Sequence, residues 1–248
     1  MRDRWIKYDS LTSTNSVLAE LLRQQTLEEG TVVIADYQES GRGQGDHSWH
    51  SRRGENLLMS LLLFPAFLSA SMQFHLSRVA SLALCDALDT LGITSRIKWP
   101  NDILTRKGKI AGILIEHSIT GSHISRTVIG LGLNLNQTAF PDFELPATSV
   151  HRETGRPVDV TELGELVESC LMSRYQALRE GRMKQLEMDY LSRLFKAGER
   201  SGFDTPEGHF DGIIRGVNDS GELMVESDGE VRTYGHGSIN MELNFRKP

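Results

Sequence analysis

Cysteine is nearly missing from this chain: Cys85 and Cys170 are the only two in 248 residues, and neither has a Cys or His partner at a metal-ligand spacing. That excludes a disulfide scaffold, and it makes both residues core thiols of a reducing compartment. Long apolar runs are missing too. The longest, Leu57 to Leu68, is interrupted by Ser60 and Pro65 and is too short to span a bilayer. The amino terminus, Met1-Arg-Asp-Arg-Trp-Ile-Lys-Tyr-Asp, has no apolar stretch of the signal-peptide kind, so a cytoplasmic protein without membrane contact is expected. There is no basic excess either: 27 Lys and Arg stand against 33 Asp and Glu, a formal net charge of −6, which argues against a duplex-DNA footprint. Repeats and low-complexity tracts are absent.

Against that acidic background, the segment from Arg96 to Lys109 reads Arg-Ile-Lys-Trp-Pro-Asn-Asp-Ile-Leu-Thr-Arg-Lys-Gly-Lys and packs five cations into fourteen residues. An acidic chain gains no solubility from such a cluster. Its simplest physical reason is an anionic ligand whose charge is stabilised locally. Within it, Lys98-Trp-Pro-Asn-Asp102 ends a strand in a Pro-fixed turn, placing Asn101 and Asp102 beside Lys98 and Lys109. A structural turn uses Pro-Asn-Asp readily but has no need of the flanking lysines.

Along the chain, Trp5–Asp9 reads as a short strand, and Thr12-Ser-Thr-Asn15 then precedes Val17, Leu18, Leu21 and Leu22 at helical spacing. A hydroxyl at a helix start caps it for about 1 kcal/mol, the competing reading for Ser13 and Thr14, yet four polar residues in a row exceed what capping requires. Thr31–Gln38 and Asn56–Phe64 read as strands around a long loop, 39–54, that is a candidate ligand flap. Leu76, Val79, Ala80, Ala83, Ala87, Leu88 and Leu91 form one helical stripe stopped by Gly92. Residues 95–99, 103–105, 109–118 and 125–136 follow as an antiparallel run of strands, with Arg106 and Lys107 at a solvated hairpin turn. Helices return over 161–179, where Asp159-Val-Thr-Glu162 resembles a capping box, and over 184–195. After Ala197-Gly198 the text becomes Gly-rich and strand-rich, with strands at 209–217, 223–227 and 231–234. These fifty or so residues predict a small β-barrel or sandwich, too small to bury much core alone and therefore docked on the larger unit. The reading is an α+β chain divided at 1–197 and 198–248.

Several motifs carry chemistry. Gly41-Arg-Gly-Gln-Gly45 opens the long loop, and alternating glycines let backbone N–H groups converge on an anion while Arg42 supplies a charged fork; a plain flexible loop is the competing reading. Trp49 has no periodic apolar neighbours and serves either to cover a flat ligand or to anchor the loop. His47 and His50 have no third ligand at a suitable spacing, so loop solvation outweighs a metal site. Lys109 opens a nearly all-apolar strand in which Gly112 leaves room for something flat or bicyclic. Gly130-Leu-Gly132-Leu-Asn134 adds further close-approach glycines and an amide able to pair with a base edge.

Together Ser13-Thr-Asn15, Gln38, Gly41-Arg-Gly-Gln44, Trp49-His-Ser51, Lys98-Trp-Pro-Asn-Asp102, Gly108-Lys-Ile-Ala-Gly-Ile113 and Gly130-Leu-Gly-Leu-Asn134 resemble the biotin protein ligases, in this order and from about Tyr8 to the carboxyl end. The resemblance implies a mixed β-sheet flanked by helices, followed by a small barrel of the Src-homology-three type. It implies formation of biotinyl-5′-adenylate from biotin and ATP with Mg²⁺, then transfer to a lysine of a biotin carboxyl carrier domain, by a monomer or homodimer. By the same resemblance Lys109, Arg42 and Asp102 are the catalytic candidates, Asp102 chiefly by orienting Lys109 and Arg42, with contact to Mg²⁺ or help in deprotonating the incoming lysine as alternatives. Ser13, Thr14, Asn15, Gln38, Gly41, Arg42, Gly43, Gln44, Lys109, Gly112, Ile113, Gly130 and Gly132 are assigned to biotin. Arg42, Trp49, Lys98, Asn101, Lys109 and Asn134 are assigned to ATP or the adenylate. No metal site fixed by protein alone is implied.

The chain departs from the family pattern at Gly45-Asp46-His47-Ser48, where many members carry a second arginine, and a looser hold on the adenylate is expected there. A pattern starting at Ser13 leaves no room for the winged-helix domain of regulatory members, which makes a monofunctional enzyme the expectation. The nearest alternative is a lipoate or octanoate ligase or transferase, whose pocket takes a linear chain where Ser-Thr-Asn and Gln38 offer partners for a ureido ring. A non-catalytic biotin- or nucleotide-binding protein is the other, disfavoured by the presence of Lys109 and Arg42.

Overall fold

The computed structural model describes residues 4–45 and 47–242; Asp46, the centre of the loop departure, lies outside the described residues. The first sheet contains β1 (Trp5–Tyr8), β2 (Val32–Ala35), β3 (Asn56–Leu63), β4 (Arg96–Lys98), β5 (Asp102–Thr105), β6 (Gly108–Thr120) and β7 (His123–Asn134). Its order is β1-β2-β3-β7-β6-β5-β4, with β1 and β2 parallel and the remaining neighbours antiparallel, so the sheet is mixed as expected.

Alternation along the strands decides which helices cover which face. Val32 and Ile34, with Leu57, Met59, Leu61 and Leu63, point into the main core beneath α2 (Phe74–Thr90), α4 (Val160–Arg179) and α5 (Met183–Arg193). Val33, Ala35 and Leu62 point the other way, against Leu18 of α1 (Thr14–Gln24). That second face is only partly roofed by α1, and its open part is where the cleft lies. Asp159 caps α4 as read, accepting from the Glu162 N–H at 2.9 Å. Gly92 follows α2 at φ +72°. The short helix α3 (Val150–Thr154) had no periodicity to reveal it.

The second sheet comprises β8 (Arg200–Thr205), β9 (Gly208–Val217), β10 (Leu223–Ser227), β11 (Glu230–Tyr234) and β12 (Asn240–Met241), in the order β11-β10-β9-β8-β12. Among the described residues β11 and β12 do not pair, so this sheet is open where a closed barrel was expected. A two-residue β12 offers too few ladder positions to close it. Its apolar face, with Phe203, Ile214, Leu223 and Val225, is continuous with the main core.

Cys85 is buried in that core, where burial pushes its thiol up to about 11. Cys170 packs at the core edge, and burial raises its thiol as well. Both behave as core thiols. No helix among the described residues is long and apolar enough to cross a membrane.

Candidate active site

Strand register assembles the site. Lys98 pairs with Asp102, Asp102 with Gly112, Gly112 with Gly132 and Gly132 with Leu58, one row running across five strands. The next row holds Ser60, Gly130 and Leu114. A register shift between Ile103 and Leu104 sets Lys109 opposite Leu104, and the Lys109 ammonium turns back onto Asp102. These rows floor a cleft of about 950 Å³, walled by α1, by loop 39–54 and by the second sheet. Every residue assigned above lines it except Gly41, which is buried where a Cβ would lie 2.4 Å from the Trp49 carbonyl oxygen.

One end is polar. The capping reading of Ser13 fails, since its side chain makes no cap bond. Gln38 does that work from outside the helix: its Oε1 accepts from the Thr14 N–H at 2.8 Å and from the Thr14 hydroxyl at 3.1 Å. Asn15 is 2% exposed and satisfied by protein. Its Oδ1 accepts from Ser60 Oγ at 2.6 Å, and its Nδ2 donates to Glu116 Oε2 at 2.7 Å and to the Leu114 carbonyl at 3.2 Å. Asn15 therefore shapes the pocket wall, while Gln38 keeps its amide N–H₂ for other partners.

The centre is cationic. Lys109 Nζ lies 2.6 Å from Asp102 Oδ1, Lys98 Nζ lies 4.0 Å from Asp102 Oδ2, and the Lys109 ammonium sits 5.3 Å from the Trp49 ring centroid. Of the five cations of 96–109, only these two lysines face the cleft. Lys107 bonds the Arg152 carbonyl on the exterior, and Arg106 is exposed. Arg42 does not approach Asp102 as expected; its Nη2 pairs with Glu116 Oε1 at 2.9 Å. Asn101 is also more structural than expected, because its Nδ2 donates to the Ile113 carbonyl at 2.8 Å while Ile113 N–H donates to its backbone oxygen.

The other end suits a flat, polar-edged group. Trp49 reaches from this end onto Gly112 and Gly132 of the central row, so its ring occupies room the glycines leave: a Cβ on Gly132 would stand 2.4 Å from its Cε2, and one on Gly112 2.9 Å from its Cζ3. Residues 41–43 and 47–49 pair as the two arms of a small hairpin, with Gly43 N–H donating to the His47 carbonyl and Trp49 N–H to the Gly41 carbonyl. The Gly43 N–H is thus spent on the hairpin and does not join an anion cradle. Asn134 Nδ2 donates to the Thr148 carbonyl, so its Oδ1 points the opposite way as a bare acceptor. Among the described residues Asn134 Oδ1, Trp49 Nε1 and Gln44 Oε1 are buried without a partner. Such groups are costly to leave unpaired, and a ligand edge with both donors and acceptors would satisfy them.

Residues 7–134 match the Biotin/lipoate A/B protein ligase family. The chain belongs to that family. It is 36% identical to the biotin–[acetyl-CoA-carboxylase] ligase of Paracoccus denitrificans, over 87% of this chain and 92% of that one. It is 32% identical to the bifunctional ligase/repressor BirA of Bacillus subtilis, over 97% of this chain and 75% of that one. In fold it is similar to the biotin protein ligase of Aquifex aeolicus in complex with biotin and ATP, with a TM-score of 0.79, 24% identity, and 96% and 98% of the two chains covered.

In this biotin/lipoate ligase family member the sequence reading passed over four cleft or cleft-edge residues. Ser60 was legible as a lone hydroxyl in a fully buried strand, and Glu116 as a carboxylate ending an apolar one. Phe140 and Phe143 also line the cleft, from a segment with no periodicity. Gly130 accommodates Asn15, since a Cβ there would stand 2.3 Å from Asn15 Oδ1. Gly130→Ala is expected to cost about 1–3 kcal/mol as overpacking, read in thermal unfolding as a fall of roughly 2–12 °C in melting midpoint. An unchanged midpoint would show that Asn15 is not fixed there.

Proposed function

We propose that the chain is an ATP-dependent biotin protein ligase. The observation that carries this reading is the order of groups along one cleft: a hydroxyl- and amide-rich end, a lysine pair at the centre, and an end with unpartnered buried acceptors and an indole. A ureido bicycle, a carboxylate meeting a phosphate, and a purine would occupy those three places in turn. In the first step a biotin carboxylate oxygen attacks the α-phosphorus of ATP, the α–β P–O bond breaks, and pyrophosphate leaves. Two anions must meet, and Lys109, supported by Asp102 and Lys98, supplies the positive charge at their junction, with Arg42 reaching the phosphates from the loop. In the second step a carrier-domain lysine amine attacks the acyl carbon, an amide forms, the bond to AMP breaks, and the amine proton passes to base or solvent.

Asp102 is held closely by Lys109 on one oxygen and only loosely by Lys98 on the other, which favours a role in orienting Lys109, and Mg²⁺ is best read as arriving on the triphosphate, as part of the substrate. Asn134 Oδ1 suits the exocyclic amine of adenine. Residues 198–248 are read as a small module docked on the catalytic unit of 1–197, and the unpaired thiols suit the cytoplasm. The polar end wall favours biotin over the linear chain of lipoate or octanoate, in keeping with the names of the relatives above. The test is mass spectrometry of a purified biotin carrier domain incubated with the protein, biotin and MgATP. Modification confined to one lysine supports the reading; an unmodified carrier in the presence of an active chain overturns it.

A further inference from the structure

Glu116 sits beside the cleft, in a smaller pocket that it lines with Asn15 and Arg42. On β6 it shares a face with Gly112 and Leu114 by alternation, and it lies beyond Leu114 at the polar end. One carboxylate oxygen accepts from Asn15 at 2.7 Å, and the other holds Arg42 at 2.9 Å. The contacts close into a ring. From Glu116 they run to Asn15, to Ser60 at 2.6 Å, to Thr14 at 2.7 Å, and to Gln38, which lies four residues before Arg42 in the same segment. The glycine loop is therefore gripped at its root by Gln38 and further out by Arg42, and both grips end on the helix start that walls the polar end.

We propose that Glu116 is a positioning residue for ATP: it holds the Arg42 guanidinium, and with it the glycine loop, at the depth where the triphosphate passes. The chemistry favours support over competition. A guanidinium has five N–H donors in a fixed fork, and among the described residues Glu116 is the one side chain that Arg42 bonds, through a single nitrogen, so the remaining donors stay available to phosphate oxygens. A carboxylate that fixes a long, half-exposed side chain also removes much of the entropy cost of ordering it on the ligand. The inference rests on the reading of Arg42 as a phosphate ligand.

The test is steady-state adenylate formation by the full chain, with ATP and biotin varied separately, for Glu116→Gln, Arg42→Ala and the double variant. Glu116→Gln keeps an acceptor for Asn15 but loses the charge that holds Arg42. It is expected to raise the KM for ATP about fivefold, the scale of a partly exposed pair with some coupling, while kcat and the KM for biotin stay within about twofold. The double variant should match Arg42→Ala alone, because Glu116 acts through Arg42. Glu116→Asp, which retains the charge on a shorter arm, should restore part of the ATP affinity. An ATP KM unchanged in Glu116→Gln, or an effect that adds fully to that of Arg42→Ala, overturns the inference. Should Glu116→Gln melt early, the Asp variant carries the same test: an ATP KM no better than that of Arg42→Ala overturns it. If the wild-type chain forms no adenylate at all, it is the ligase reading that fails.

Discussion

Replacing Lys109 with alanine is expected to slow formation of the acyl-adenylate roughly 10³-fold, about 4 kcal/mol, the upper range for removing one preorganised charged or polar group from a developing anion. The site gives reasons for so large an effect. Lys109 lies 2.6 Å from Asp102, and its neighbour Lys98, at 4.0 Å, neutralises that carboxylate only weakly. Without Lys109 the Asp102 carboxylate becomes a nearby negative charge that repels both reacting anions, so the loss exceeds that of one cation. Lys109→Arg is expected to recover little, because the longer guanidinium spreads its charge over a planar fork and cannot place it at the point where the compact Lys109 ammonium lies. Single-turnover pyrophosphate release measures this, with a melting curve to show the fold intact. A loss of under tenfold would remove Lys109 from the chemistry.

Arg78→Ala should give the largest loss of stability. Arg78, on α2, is completely buried and donates to Asp219 Oδ1 at 3.0 Å and to the Val217 carbonyl at 2.7 Å. Its guanidinium also stacks 5.3 Å from the Phe74 ring. Next to it, burial and then the Arg78 charge hold His75 below the usual histidine range, which favours a neutral ring beside the cation. The turn that Arg78 grips ends at Gly221, whose carbonyl accepts from Trp99 Nε1 at 2.9 Å, so one buried cation fixes the second sheet onto the turn that carries Lys98 and Asp102. Removing it strands the buried Val217 carbonyl and leaves a cavity where a fully buried side chain stood, while the half-exposed Asp219 stays solvated. A cost of about 3–5 kcal/mol is expected, or roughly 6–20 °C in melting midpoint. A change under 2 °C would mean that the second sheet is held mainly by its apolar face.

How much of this was legible depended on the reach of each interaction. α2 and β3 were readable because burial imposes period 3.6 or an unbroken apolar run on the residues themselves. The pairing of Asp102 with Lys98 and Lys109 was readable because those residues lie close together along one hairpin. Ser13 looked like a cap because every local rule favours it, and the actual cap for the Thr14 N–H is Gln38, across 24 residues. Gly41 and Gly43 looked like an anion cradle, yet they serve the close packing of a hairpin, a use only the partner strand reveals. Asn15 meets Glu116 across 101 residues, and no spacing rule reaches so far. The open second sheet was misjudged as a barrel because closure depends on how the end strands meet, which hairpin spacing does not encode.

The most direct test of the central claim is pyrophosphate release from MgATP by the intact protein, with biotin, lipoate and octanoate supplied in parallel and the nucleotide product identified by mass. Release that requires biotin, with biotinyl-5′-adenylate as the product, is the predicted result. Release driven equally well by octanoate or lipoate, or none with any acid, would contradict it.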